Sequence, residues 1–145
     1  DLIVVHYGLN EAVKGNTLPL LKVYIKRMKR SIENLRAAYP SAGILVVSVP
    51  DRDQRSAEGI TTLKEVKELV ALQAQLAADC GVGFFNLYQA MGGESSMKRL
   101  VDSHRANKDY THLSFGGGKV VAGKVFPSFI AGLENYKRRK ALEQQ

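Results

Sequence analysis

The sequence contains no tryptophan and a single cysteine, Cys80. One thiol excludes an internal disulfide framework and any zinc site built on several cysteines, and leaves the compartment open. The three histidines, His6, His104 and His112, stand far apart and form neither a His-x-His nor a His-Glu-x-x-His pattern, so no metal site is expected. No apolar run approaches the roughly 20 residues of a membrane-spanning helix, so no transmembrane segment is expected. Low-complexity stretches, linkers and internal repeats are missing too. So is a leader: the chain opens Asp1-Leu2-Ile3-Val4-Val5, straight into an apolar run, and reads as something cut from a longer protein. What remains is 145 residues, 45% apolar and 24% charged, enough for one ordinary globular domain and unlike a disordered or fibrous chain. Lys and Arg outnumber Asp and Glu by 21 to 14, a net charge of +7.

Short apolar runs alternate with long amphipathic ones. Leu2 to Tyr7 is β-branched in the middle and stopped by Gly8, the pattern of a strand buried on both faces. Thr17 and Pro19 suit a helix start, as cap and as a first-turn residue whose missing N–H has no partner to lose. Leu21, Ile25, Met28, Ile32, Leu35 and Tyr39 then recur at helical spacing, with Lys22, Lys26, Arg27, Lys29, Arg30 and Arg36 on the other faces, until Pro40 and Gly43. Ile44 to Val49 predicts a second strand ended by Pro50, and the polar run from Asp51 to Gly59 a loop. Thr61 or Thr62 is expected to open a second long helix along Leu63, Val66, Leu69, Val70, Leu76 and Ala77, with Gly81 past its end. Val82 to Leu87 gives a third strand, and a short amphipathic piece surrounds Met97, Leu100 and Val101. A last helix runs from near Ser114 through Val121, Val125, Phe129 and Leu133, with a kink or break expected at Pro127. Strands alternating with helices predict an α/β fold, a parallel sheet with helices on both faces.

Ligands of open parallel sheets gather outside the carboxyl ends of the strands, which singles out residues 8–14, 50–59 and the stretch after Leu87. In the first of these, the Asn10 amide can donate to a developing oxyanion without bringing a titrating charge. Gly8 and Asn10 are equally what a plain turn prefers. In Asp109-Tyr110-Thr111-His112, a carboxylate three residues before a histidine can accept from Nδ1–H and leave Nε2 free as a base. Alone, that spacing is as often a surface pair. His6, inside a buried-type strand, reads as a core residue, and His104, in a polar stretch, as solvated. Gln73 reads as a packing or surface residue and Cys80 as a partly buried helix-end residue. Ser114-Phe115-Gly116-Gly117-Gly118-Lys119 lacks the spacing of a phosphate loop, and its small residues more plausibly let the last helix approach the sheet closely. The basic stretch Lys137-Arg138-Arg139-Lys140 and the basic face of the first helix read as solvated, and sparse aromatic interleaving gives no expectation of nucleic acid.

Taken together, Gly8-Leu9-Asn10-Glu11 after a strand and Asp109-Tyr110-Thr111-His112 before the last helix resemble two blocks of the SGNH (GDSL-type) hydrolases. The strand and helix order between them fits over nearly the whole chain. Glu11 stands where the commonest form of the family has Asp, a departure that does not touch Asn10. Tyr7-Gly8-Leu9-Asn10-Glu11-Ala12, Ala90-Met91-Gly92-Gly93 and Lys108-Asp109-Tyr110-Thr111-His112-Leu113 look like bacterial envelope carbohydrate esterases, peptidoglycan O-acetylesterases in particular.

The resemblance implies a three-layer α/β/α sandwich of flavodoxin-like SGNH type, with residues 1–145 as the C-terminal portion of a single domain. It implies hydrolysis of an acetylated carbohydrate or another ester, without metal or organic cofactor, in a bacterial periplasm or cell envelope. His112 would be the base, Asp109 its orienting carboxylate and Asn10 an oxyanion-hole donor. The nucleophile of the family, in a Gly-Asp-Ser context, and a second oxyanion donor, a Gly, precede the Gly-x-Asn block and would lie before Asp1. None of Ser48, Ser56, Ser95, Ser96 or Ser114 has that context. The expectation is therefore a chain inactive by itself, with an open sheet flank, completed by an N-terminal segment of the same protein carrying the serine. The alternative is a non-catalytic domain of the same shape that binds carbohydrate or a protein.

Overall fold

The computed structural model describes residues 1–57 and 59–143. In chain order the elements are β1 (Leu2–Val5), α1 (Leu18–Ala38), β2 (Gly43–Val47), β3 (Asp53–Ser56), β4 (Gly59–Thr62), α2 (Lys64–Cys80), β5 (Gly83–Phe85), α3 (Leu87–Met91), α4 (Ser96–Asp102) and α5 (Phe115–Glu143). β1, β2 and β5 form a parallel sheet in that order, with Leu2 opposite Gly43 and Leu45 opposite Gly83. Parallel neighbours need crossovers, and α1 and α2 supply them.

The apolar stripes of the helices decide the layers. On one face of the sheet, Val5, Ile44 and Val46 pack against Met28 and Ile32 of α1 and Leu76, Ala77 and Cys80 of α2. On the other, Val47, Leu45 and Phe85 meet Leu87 and Met91 of α3, Met97 of α4, and Val121 and Val125 of α5. Each fully buried aliphatic side chain contributes about 1.5–3 kcal/mol. Helices thus cover both faces of a parallel sheet, as the alternation of patterns predicts.

Several local expectations fail. β1 is not buried on both faces: Leu2 and Val4 are 55% and 47% exposed, because β1 is an edge strand and α3–α5 do not extend over it. Residues 51–59 are not a plain loop. β3 and β4 pair antiparallel, Asp53 opposite Thr62 and Ser56 opposite Gly59. The β-branched Thr61 and Thr62 therefore lie in β4 rather than opening α2, which starts at Lys64. Thr17 precedes α1 but makes no side-chain cap bond. α5 continues through Pro127, since that part of the helix lies at the surface, where the carbonyl losing its N–H partner is free to take water. At the third strand, β5 is only three residues long, and Asn86 ends it by capping α3, its side chain accepting the Gln89 N–H.

The outer side of β1 is open. Gly43 N–H donates to the Asp1 carbonyl, so in a parallel ladder Ile3 and Val5 turn their backbone groups to β2, and Leu2 and Val4 turn theirs to the free edge. A groove of about 1120 Å³ runs along this edge, lined among others by Ile3, Val5, Tyr24, Met28, Leu35 and Asn10. The Tyr24 hydroxyl in it is buried and has no hydrogen-bond partner among the described residues. Beyond the sheet, α5 exposes Phe126, Ile130, Leu133 and Tyr136 along its length. Among the described residues, no helix is long and apolar enough to cross a membrane.

Candidate active site

The chain leaves β1 through Gly8, at φ 117°, a left-handed conformation that favours glycine. A Cβ there would meet the Tyr24 hydroxyl at 3.0 Å, and Gln73 Nε2 and Leu69 Cδ2 at 3.2 Å. The turn closes when Glu11 and Ala12 N–H donate to the Gly8 carbonyl at 3.0 and 3.1 Å. Asn10 sits in this turn, exposed, with its side-chain amide bonded to none of the described residues. The exit is held by Gln73 of α2, fully buried. Its Oε1 accepts the Val49 N–H at 2.9 Å and its Nε2 donates to the Tyr7 carbonyl at 2.8 Å. One polar residue in the apolar stripe of α2 was the available signal for this staple.

The second block is a loop folded on its own carboxylate. Asp109 Oδ1 accepts the Thr111 and His112 N–H groups at 2.9 and 3.0 Å, while Oδ2 lies 2.8 Å from His112 Nδ1. An ionised carboxylate only accepts, so Nδ1 carries the proton and Nε2 is left as the basic nitrogen. The His112 N–H and ring hold the Asp109 carboxyl down to about 2, so it is ionised throughout the neutral range. Both side chains are accessible, His112 71% and Asp109 48% exposed. The loop is braced across its neck: Asn107 N–H donates to the His112 carbonyl at 2.8 Å and Ser114 N–H to the Arg105 carbonyl at 3.0 Å. Gly117, in the first turn of α5, seats that neck. A Cβ on it would lie 1.8 Å from the Arg105 carbonyl oxygen, so the close approach that a small residue permits is to this neck and not, as expected, to the sheet. Ser114 caps α5, its hydroxyl accepting the Gly117 N–H.

Both blocks therefore lie at the carboxyl end of the parallel strands, and the segment after β2 touches each. Arg52 Nη1 reaches the Leu9 carbonyl at 3.4 Å, and Asp53 N–H donates to the Tyr110 carbonyl at 3.1 Å. The other candidates are placed elsewhere. His6 is not a core residue: β1 ends at Val5, and His6 lies past it and exposed, since the edge strand has no cover there. His104 is exposed. Ser48 and Ser96 are buried, with hydroxyls donating to the Val49 carbonyl and to Asp51 Oδ2. Among the described residues, no group of three or more His, Cys, Asp or Glu side chains is placed to hold a metal ion.

No protein-family model matches the chain, and no curated protein matches it. Solved structures do. A peptidoglycan O-acetylesterase superposes with a TM-score of 0.78 at 26% identity, over 92% of this chain and 37% of that one. An acetyl-xylooligosaccharide esterase from Geobacillus superposes with a TM-score of 0.56 at 15% identity, over 88% of this chain and 58% of that one. A protein assigned as a GDSL-like lipase, from Parabacteroides merdae, gives 0.55 at 12% identity, over 83% and 57%. The chain thus spans little more than a third to under two thirds of the length of these three neighbours. The fold, with the two blocks at the carboxyl end of its sheet, is that of the SGNH (GDSL-type) hydrolases. The two lower-identity neighbours share the fold; the likeness to the peptidoglycan O-acetylesterase extends to the sequence.

Proposed function

We propose that this chain supplies the base, its orienting carboxylate and one oxyanion donor of a serine ester hydrolase acting on an acetylated carbohydrate of the peptidoglycan class. The observation that carries the reading is the Asp109–His112 pair, 2.8 Å between Oδ2 and Nδ1, on a fold shared with esterases. The nucleophilic serine resides on an N-terminal segment of the same protein, in a Gly-Asp-Ser context. The free edge of β1 and the groove beside it favour this, because a strand added parallel to β1 ends next to Asn10.

In this reading His112 Nε2 takes the serine proton as the serine oxygen attacks the acetyl carbonyl carbon. The carbonyl oxygen, now an oxyanion, accepts a hydrogen bond from the Asn10 amide, worth about 3–4 kcal/mol of barrier. Asp109 holds the ring tautomer and supports the imidazolium. The tetrahedral intermediate collapses, His112 passes its proton to the departing sugar oxygen, and an acetyl-serine remains. Water, deprotonated by His112, attacks that ester, and collapse of the second intermediate returns the proton to serine and releases acetate. A cell-wall substrate places the protein in the bacterial periplasm or envelope. The test is ester turnover by the chain joined to its upstream segment: acetate release that His112→Ala abolishes supports the reading. Stoichiometric binding of acetylated peptidoglycan fragments without turnover would make it a binding domain instead.

A further inference from the structure

Among the described residues, the segment from Pro50 to Asp53 is the only one bonded to both blocks, and its own fastening is unusual. Besides the Arg52 side chain on Leu9 and the Asp53 N–H on Tyr110, the Arg52 carbonyl accepts the Leu63 N–H at 2.9 Å, just before α2. It thus ties the Asn10 turn to the Asp109–His112 loop.

Two buried carboxyl groups hold the segment in place. Asp51 is 0% and Asp53 4% exposed. Asp51 Oδ1 accepts the Thr62 hydroxyl at 2.8 Å, and its Oδ2 accepts the Ser96 hydroxyl and the Met97 N–H, each at 2.9 Å. Asp53 Oδ2 accepts the Lys98 N–H at 2.6 Å, and its Oδ1 lies 3.2 Å from the same Thr62 Oγ1. A threonine hydroxyl has one hydrogen to give. At 2.8 Å against 3.2 Å it is drawn more strongly to Asp51, so the two carboxyl groups compete for one hydrogen. The shared Thr62 hydroxyl brings the two buried carboxyl groups together, where two negative charges repel and a proton on one of them relieves the repulsion.

No cation relieves the pair. Among the described residues neither carboxylate has a Lys or Arg within ion-pair distance, and Lys98 Nζ is bound to Asp102 at 2.6 Å. The groups facing the pair are Thr62 from β4, Ser96 and Lys98 from α4, and Tyr110 from the loop before α5. Lys67 of α2 and Tyr88 of α3 act on Asp51 from further off, with Lys67 committed to Glu94 at 2.9 Å.

We propose that Asp51 and Asp53 are positioning residues that hold one proton between them, and that this proton keeps residues 50–53 braced between the Asn10 turn and the Asp109–His112 loop. What the brace serves rests on the proposed function; whether it exists does not. With the proton in place, Asp53 is a neutral carboxyl donating to Asp51, whose single charge is met by Thr62, Ser96 and Met97. When the proton leaves, two negative charges face each other out of reach of water, and only parting β3 and β4 from α4 relieves them. That movement drags on the Asp53–Tyr110 bond. Burial, then the Asp51 charge, push the Asp53 carboxyl up to about 6. A folded-state value raised above the unfolded 3.8 means stability is greatest at low pH and declines as pH rises through about 6.

The test uses Asp53→Asn, which keeps a donor toward Asp51 and an acceptor for the Lys98 N–H but has no proton to lose, and Asp53→Ala, which has neither. Urea unfolding from pH 4.5 to 8 is compared between them and the wild type, so that contributions from the histidines cancel. The expected result is a wild-type folded-to-unfolded ratio that falls relative to Asp53→Asn by up to about thirtyfold across the range. Asp53→Ala is expected to be weaker than Asp53→Asn at every pH. Carboxyl carbon NMR of the wild type, which needs no variant to fold, is expected to show the pair losing one proton with a midpoint near 6. The His112 Nδ1 proton resonance should broaden at pH 8 in the wild type and persist in Asp53→Asn. Parallel pH curves for wild type and Asp53→Asn, or both carboxyl carbons ionised at pH 5, would overturn the proposal. Absence of ester turnover in the completed protein would remove the catalytic reading and leave these measurements standing.

Discussion

Replacing Gln73 by leucine tests whether the exit of β1, and with it the Asn10 turn, is held from α2. Gln73 is fully buried and spends its amide on two backbone groups, the Val49 N–H at 2.9 Å and the Tyr7 carbonyl at 2.8 Å. Leucine fills nearly the same space and removes both partners. Tyr7 is 71% exposed, so its carbonyl recovers water at little cost. Val49 is fully buried, and its N–H is left unsatisfied, which costs about 1–3 kcal/mol. With a small gain from the added apolar contact, the net loss comes to about 2 kcal/mol. For a chain of this size, urea slopes of about 1–3 kcal/mol per molar translate that into a midpoint lower by about 1 M. Gln73→Glu sharpens the result, since it keeps the acceptor for Val49 but buries a carboxyl with no cation beside it. Its stability should fall as pH rises from 4 to 8, because burial raises its folded-state pKa above the unfolded one. A Gln73→Leu variant within about 0.5 kcal/mol of wild type would refute the staple, that margin being what an ordinary surface change costs.

Three further outcomes follow from the geometry. Gly117→Ala places a methyl 1.8 Å from the Arg105 carbonyl oxygen, a backbone atom that moves only with the neck of the His112 loop, so a loss of about 2–3 kcal/mol and a melting point lower by about 5–10 °C are expected. Asn10→Ala, at an exposed position, should leave the urea midpoint unchanged and lower kcat of the completed enzyme by about 10²–10³-fold. For Asp109, carboxyl carbon NMR should give a midpoint near 2; its pKa is lowered on folding, so its contribution is present above about pH 4 and lost as pH falls toward 2. Because that pair is exposed and screened by solvent, Asp109→Asn should lower stability only modestly, while lowering ester turnover of the proposed completed enzyme by orders of magnitude.

The sequence made the sheet and the helices legible because each carries a period of its own. The stripe Leu21, Met28 and Ile32, and the run Ile44 to Val47, announce a helix and a strand without help from tertiary structure. What it hid depends on neighbours. The hairpin β3–β4 is polar on both strands, so Asp53, Gln54, Arg55 and Ser56 look like a loop until Thr62 and α4 are placed beside them. β1 has the composition of a central strand, and only the sheet order reveals that one of its flanks is open. Asp109 and His112 were readable because both their partners lie within three residues, whereas Gln73 is 66 residues from Tyr7 and Asp51 45 from Ser96. Local chemistry shows in a sequence; bridging chemistry needs the fold.

The most direct measurement is acetate release from a short acyl ester and from acetylated peptidoglycan, by this chain alone and by the chain joined to an upstream segment carrying the proposed Gly-Asp-Ser block. The chain alone should release acetate no faster than buffer, while the joined protein should turn over and lose that turnover with His112→Ala. Robust turnover by the 145-residue chain alone, abolished by His112→Ala, would place the nucleophile within it and contradict the assignment of the serine to another segment.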